Sequence, residues 1–331
     1  MDFQAEKSMV LDYYSALDAA RPEDVADIFA SSMAPGYFWR GYHPFGQISD
    51  AEAVASRFWR PLKTAFTSLQ RRQTIFFAGL NEIDGFQSVW TCSMGHLMGL
   101  FDAPWQGIQP TGKLAFLRYA EFNRVESGKI AETAMFFDIP HLARQAGQPI
   151  FAGQSAAHLV QPGPATQDGL LFGPQDAETG EATLALINAM ISDLGTWALG
   201  LPLEEELART WHDDMLWWGP EGIGATYTIE RYARQHSAPF RAAFSDRSKT
   251  SHICRIAEGN YGGFFGWPNF TARQTGAYLG LEGTGQPREF RVIDIYRRDG
   301  NRLAENWVYI DLLHFLQSGG GATIEGLATQ T

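Results

Sequence analysis

The chain has 331 residues, 45% hydrophobic and 19% charged side chains and a formal charge of −11, which excludes a disordered protein and by length predicts two ordinary domains. No apolar run reaches the ~18–20 residues of a membrane-spanning helix, and 26 basic against 37 acidic residues, the basic ones densest at Arg71-Arg72 and Arg297-Arg298, leave no surface for nucleic acid. Two cysteines, Cys92 and Cys254, cannot build a disulfide framework, and the N-terminus has neither the basic flank nor the apolar run of a secretory signal, so a cytoplasmic address is expected.

From the N-terminus, Met9, Tyr13 and Leu17, with Val10 and Tyr14, recur at i, i+4 spacing and predict an amphipathic helix over 8–20. Arg21-Pro22-Glu23-Asp24 starts a second helix, with Pro in its first turn and acids at the positive end of its dipole. An aromatic strand follows at Tyr37-Phe38-Trp39-Arg40, then a third helix over about 50–66. Strands are predicted over 74–80 and 86–96, joined through Asp84-Gly85, and over 114–125 and 130–137 around Ser127-Gly128. Residues 147–180 hold Gln161-Pro162-Gly163-Pro164 and Phe172-Gly173-Pro174 and read as a linker. Phe151, Leu159, Leu170 and Leu171 make it too apolar for a free tether. The same order then returns: helices over 182–194 and 202–211, an aromatic strand at Leu216-Trp217-Trp218, a helix over about 229–244, and a turn at Asp299-Gly300 between strands.

That return is a duplication. Glu121, Glu132 and Asp138 are matched, in order and at one constant spacing, by Asp294, Glu305 and Asp311. Pro61 through Phe66 are matched by Pro239 through Phe244 at a slightly larger spacing, so the second copy is a little shorter between the two blocks. The predicted organisation is one copy over 1–147, a linker over 148–180 and a second copy over 181–331. Helices followed by hairpins, without alternating βαβ units, predict α+β domains, each a curved and mostly antiparallel sheet closed over by helices into a cone.

Gly95-His96-Leu97-Met98-Gly99 followed by Pro110-Thr111-Gly112-Lys113 resembles the G-x-H-x-G…P-P-T-G-K segment of the SnoaL-like polyketide cyclases, members of the cone-shaped nuclear transport factor 2-like superfamily. Gly128-Lys129-Ile130-Ala131-Glu132 and Asp299 through Trp307 resemble that family's closing hairpin. The resemblance implies an enzyme without cofactor, in which a pocket carboxylate moves a proton during ring closure of a polyketide; no metal is expected, because His212-Asp213-Asp214 are consecutive and no further His or acid lies at ligand spacing. The family's pocket His falls on Glu121 and Asp294, and its catalytic Asp falls on Met135 and Val308, neither of which moves a proton.

Strand alternation places Tyr119, Glu121 and Asn123 on one face, and Val292, Asp294 and Tyr296 on its counterpart. If those faces line the cones, each pocket holds one carboxylate against apolar walls, raised in pKa and fit for acid/base work, with Met135 and Val308 beside it. The alternative is an acid paired with a nearby Arg or solvated at the sheet edge. His96 is a candidate donor to a ligand carbonyl or else a strand histidine bonded to a backbone carbonyl, and its counterpart in copy 2 is expected near Arg273. Trp39 and Trp218 are candidate walls of the pocket mouths. Ala134, Phe136 and Asp138, with Trp307, Tyr309 and Asp311, share the opposite face and are expected to form the seam of an intramolecular pseudo-dimer or to pack under a terminal helix; further homo-oligomerisation stays open. The expected ligand is a small apolar or aromatic carbonyl compound, either turned over by a cyclase, isomerase or hydro-lyase or only bound. One copy being active beside a structural one is a third reading.

Overall fold

The computed structural model describes residues 2–195 and 201–320, which separate into two units. Unit 1 takes residues 2–150 and 165–174; unit 2 takes 151–164 and 175–320. Residues 147–180 are therefore shared out. Leu170 makes a β-bridge to Phe76, and the buried Lys7 ammonium donates to the Leu171 carbonyl at 2.7 Å, both in unit 1. Ala157 bridges Ala225 in unit 2.

Unit 1 opens with α1 (Gln4–Ala19), which buries Val10, Tyr13, Tyr14 and Leu17 along one stripe, and α2 (Val25–Ser32) after a 3-10 turn at Pro22–Asp24. Strands β1 (Met33–Gly41) and β2 (Gly46–Ile48) precede a broken helix: α3 (Ala51–Val54), a π turn (Ala55–Trp59) and α4 (Arg60–Ala65). Pro61, just inside α4, has no N–H and crowds the carbonyl four residues back, so the turn before it widens. Strands β3 (Phe66–Leu80), β4 (Val89–Phe101), β5 (Leu114–Glu126) and β6 (Lys129–Phe137) complete a curved, open sheet of order β2-β1-β6-β5-β4-β3. All neighbours are antiparallel except β1 and β6. Gly85 turns the β3–β4 connection at φ 76°, a conformation that favours glycine. Helix α5 (Ile139–Gln145), capped by Asp138, follows.

Unit 2 repeats the plan: α6 (Ala177–Gly195), α7 (Leu203–Leu207), β7 (Trp211–Trp218), β8 (Ala225–Tyr227), α8 (Ile229–Tyr232), a π turn (Ala233–Ser237) and α9 (Ala238–Ala243). Then come β9 (Phe244–Ser245), β10 (Cys254–Glu258), β11 (Tyr261–Gln274), β12 (Pro287–Asp299), β13 (Arg302–Ile310) and α10 (Leu312–Ser318). Its sheet runs β8-β7-β13-β12-β11-β10, with β9 also on β11. The helix expected over 202–211 is shorter because β7 begins at Trp211, where parallel pairing to Leu303 of β13 takes over the backbone. Both units are α+β.

The two repeat spacings describe the backbone register. Glu121 pairs with Met135 across β5 and β6, and Asp294 pairs with Val308 across β12 and β13, so the matched acids face matched partners. The two π turns, Ala55–Trp59 and Ala233–Ser237, keep the larger spacing of the Pro61 and Pro239 blocks that follow them. One difference matters for the interior. The edge strand β3 is continuous for 15 residues, whereas its counterpart in unit 2 is interrupted between Ser245 and Cys254.

Candidate functional site

Glu121 and Asp294 occupy equivalent register positions and are both buried, yet their surroundings differ. Alternation along β3 turns Arg71 inward and Arg72 outward. The Arg71 guanidinium meets Glu121 at 2.8 Å and lies 3.9 Å from the Tyr14 ring centre and 4.8 Å from that of Tyr119. The expectation of a lone carboxylate is thus corrected in unit 1: Glu121 is ion-paired with an arginine held among aromatic rings. The rest of that interior is filled too. Phe58 stacks on Phe137 with centroids 4.8 Å apart and packs against Trp39 at a tilt, centroids 5.4 Å apart, and Trp59 is buried beside them. Tyr119 bonds to Ser93 at 2.9 Å, and Asn123 donates to the Tyr14 hydroxyl and accepts from Thr133. Tyr119, Asn123, Met135 and Trp39 are therefore parts of a packed core.

In unit 2 the same place holds a cavity of about 160 Å³. Asp294 is the one carboxylate among the described residues lining it; Tyr296, Val292 and Val308 stand near it on the sheet, and Tyr232, His236, Ser237 and Phe240 face it from the helical side. Burial pushes the Asp294 carboxyl up to about 7, against the opposing pull of hydrogen bonds from Asn306 and Tyr296. The Asn306 amide donates to Asp294 Oδ1 at 3.2 Å. The Tyr296 hydroxyl is held well above its ordinary value by burial and by Asp294, so it remains a proton donor at neutral pH.

The correspondence of the two π turns explains the opening. Trp59 of unit 1 becomes Ser237, and Phe58 becomes His236. By the same spacing Arg71 becomes Lys249, which lies in the interrupted segment 246–253 and outside the cavity lining. An indole and a guanidinium are thereby missing from the interior, and a void remains. Arg247 lines the cavity, stacked on Phe270 at 4.2 Å, and burial lowers its pKa to about 10. Arg241 is held by an ion pair with Glu206.

Two expected wall or donor residues lie elsewhere. Trp217, not Trp218, is the counterpart of Trp39: Trp39 pairs with Thr133, and Trp217 pairs with Asn306, the residue that matches Thr133 in the repeat. Trp217 lines the cavity, whereas alternation turns Trp218 to the opposite face, in register with Trp307. His96 pairs with Arg118, out of step with the Glu121 face, so it cannot reach Glu121. Burial, Arg118 and His141 hold it down to about 3, so it is neutral. Its counterpart lies near Trp267, over which Arg291 stacks at 4.2 Å, rather than near Arg273. The closeness that Gly95 allows is to backbone: a Cβ there would meet the Arg72 carbonyl at 2.0 Å.

On the opposite face, Asp138 and Asp311 cap α5 and α10 by accepting from the His141 and His314 amides at 3.1 Å, and Trp307 donates to the Pro162 carbonyl at 3.2 Å. These are local duties. Three residues escaped sequence reasoning. Arg71 left a signal, because two consecutive arginines on a strand must put one on each face. His236 also left one, standing between Tyr232 and Phe240 at i, i+4 spacing. Trp217, in place of Trp218, followed from carrying the spacing of the Pro61 and Pro239 blocks back to Trp39. Among the described residues, no group of His, Cys, Asp and Glu converges as a metal site, and no helix is long and apolar enough to cross a membrane.

Fold and cavity together define a tandem of α+β cones, one packed solid and one hollow. The family model of the SnoaL-like polyketide cyclases matches residues 203–318. That match lies within unit 2, and unit 1 repeats the strand order and register of unit 2, an arrangement that fits two tandem SnoaL-like copies. Similar solved structures include TsrD from Streptomyces laurentii, 18% identical, covering 43% of this chain and 97% of its own, with a TM-score of 0.35. IdmH from Streptomyces antibioticus is 19% identical, covering 42% and 98%, with a TM-score of 0.34. An NTF2-like protein from Burkholderia thailandensis is 21% identical, covering 43% and 97%, with a TM-score of 0.31. No curated protein matches.

Proposed function

We propose that the protein is a cofactor-independent, polyketide cyclase-type enzyme whose chemistry belongs to unit 2, with unit 1 as a structural copy. The observation that carries this reading is Asp294: a buried carboxyl held at about 7, in a cavity walled by aromatic rings. At neutral pH such a group is present both as base and as acid, the poise that proton transfer favours. As carboxylate it takes a proton from the carbon beside a ligand carbonyl. The C–H electron pair moves into the carbonyl and leaves an enolate. In a cyclisation, the enolate carbon attacks a second carbonyl carbon of the same molecule, and the protonated Asp294 returns its proton to the new alkoxide. Isomerisation and dehydration share the first step. Val308, at the family's acid position by resemblance, lies directly across from Asp294 in register, so the carboxyl is moved one strand over at the same level of the cone.

Asp294→Asn should lower turnover of a planar diketone by about 10²–10⁴-fold while leaving its binding in place. Equal turnover by the variant would sink the role of Asp294. The apolar residue at Val308 favours a second reading, a protein that binds such a compound without converting it. Absence of turnover by the wild type across a broad panel of carbonyl compounds, with binding retained, selects that reading.

A further inference from the structure

His236 lines the unit 2 cavity and has no part in the proton transfer just described. Its ring lies flat on Trp217, with centroids 4.1 Å apart at 18°, and edge-on to Tyr232 at 5.3 Å. In unit 1 this position is Phe58, which packs against the equivalent Trp39 with the rings tilted by 34°. An apolar ring therefore satisfies the packing here, and the nitrogens of His236 are an addition that packing does not require. His236 Nδ1 is shut away from solvent with no hydrogen-bond partner among the described residues. A buried N–H without an acceptor is costlier than a buried lone pair, so the neutral ring keeps its hydrogen on Nε2. The ring lines the cavity, and Nδ1 is its enclosed nitrogen. Burial lowers the ring's pKa to about 3, so it stays neutral through the physiological range.

We propose that His236 is the carbonyl-binding residue of this cavity, its Nε2–H donating to the oxygen of the ligand carbonyl next to the carbon that Asp294 deprotonates. This rests on the acid/base reading for its second half only; the hydrogen bond stands or falls by itself. It makes the preferred ligand a compound with a carbonyl on or beside an aromatic ring. The cavity, at about 160 Å³, is close to the ~150 Å³ apolar cavity known to admit benzene, so a one-ring ketone is a suitable probe.

Acetophenone and α-methylstyrene share one shape and differ in a carbonyl oxygen against a CH₂ group. The full-length protein should bind acetophenone about 3–10-fold more tightly, the range one hydrogen bond gives, and the carbonyl stretch of bound ¹³C-labelled acetophenone should move to lower frequency. His236→Phe, which installs the unit 1 residue, should bring the two affinities together and abolish the frequency shift while still binding α-methylstyrene. His236→Met is read in the same way, so the test does not depend on one variant folding. An unchanged preference or an unchanged stretch in either variant overturns the role of His236 and leaves Asp294 untouched. Failure of the wild type to bind either probe overturns it together with the cavity reading. Neither probe is turned over, so inactivity at Asp294 leaves the result unaffected.

Discussion

Asp294→Asn should change stability in a pH-dependent way, whatever the substrate proves to be. The change removes the ionisable group and keeps an oxygen for the Asn306 amide, which donates to Asp294 Oδ1 at 3.2 Å. Folding moves this carboxyl from its ordinary 3.8 to about 7. Between those values the folded protein binds the proton and the unfolded chain does not. The stability contributed by the proton is therefore full below about pH 4 and is lost as pH rises to 7. About three units, at about 1.4 kcal/mol each, give at most about 4 kcal/mol. Asparagine carries no such proton, so the variant should match the wild type near pH 4 and exceed it by up to that amount above pH 7. Buried His96, His236 and His252, each held down to about 3, destabilise both proteins on acidification and cancel in the difference. Urea unfolding of both proteins at intervals from pH 4 to 8 measures that difference. If the two stability curves run parallel across the window, Asp294 is not poised near neutrality and cannot serve as both acid and base there.

Two further perturbations test how the interiors are built. Ser237→Trp copies the unit 1 residue into a cavity of about 160 Å³, whose emptiness costs at most about 4 kcal/mol at ~24 cal/mol per Å³; after about 1–3 kcal/mol of packing strain, a net gain in urea stability is expected. The same variant should lose acetophenone binding, and retained binding would refute the correspondence between Trp59 and Ser237. Arg71→Met strands the buried Glu121 carboxylate and should cost about 3–5 kcal/mol, whereas Arg71→Met with Glu121→Leu should recover most of it, because a buried ion pair is replaced by apolar packing. A double variant no more stable than Arg71→Met would show that the pair does more than neutralise itself.

The duplication and the cone were legible because they rest on patterns longer than any one side chain: an i, i+4 stripe on α1, Asp-Gly and Ser-Gly turns, and acids that recur at a constant spacing. The face of Glu121 and Asp294 followed from alternation. What they meet on that face did not follow, because it depends on partners far away in sequence. Arg71 reaches Glu121 from a strand 50 residues earlier, and whether an arginine arrives depends on β3 remaining continuous where its counterpart is interrupted. Both stretches are polar, so composition does not separate them. The His96 motif suggested a pocket group, but pairing with Arg118 sets it on the other face. A motif names a residue; only the register says which way it points.

The two π turns have a genetic corollary. Successive residues on a regular helix diverge by about 100°, yet in the widened turn of unit 1 Phe58 and Trp59 are both buried, and in unit 2 His236 and Ser237 both border the void. Two neighbouring codons thus do much to decide whether a cone is stoppered or vacant, on a segment outside the strand pairing. After a gene doubles, one half can keep its stopper and the other can explore new contents, with the shared scaffold left almost untouched.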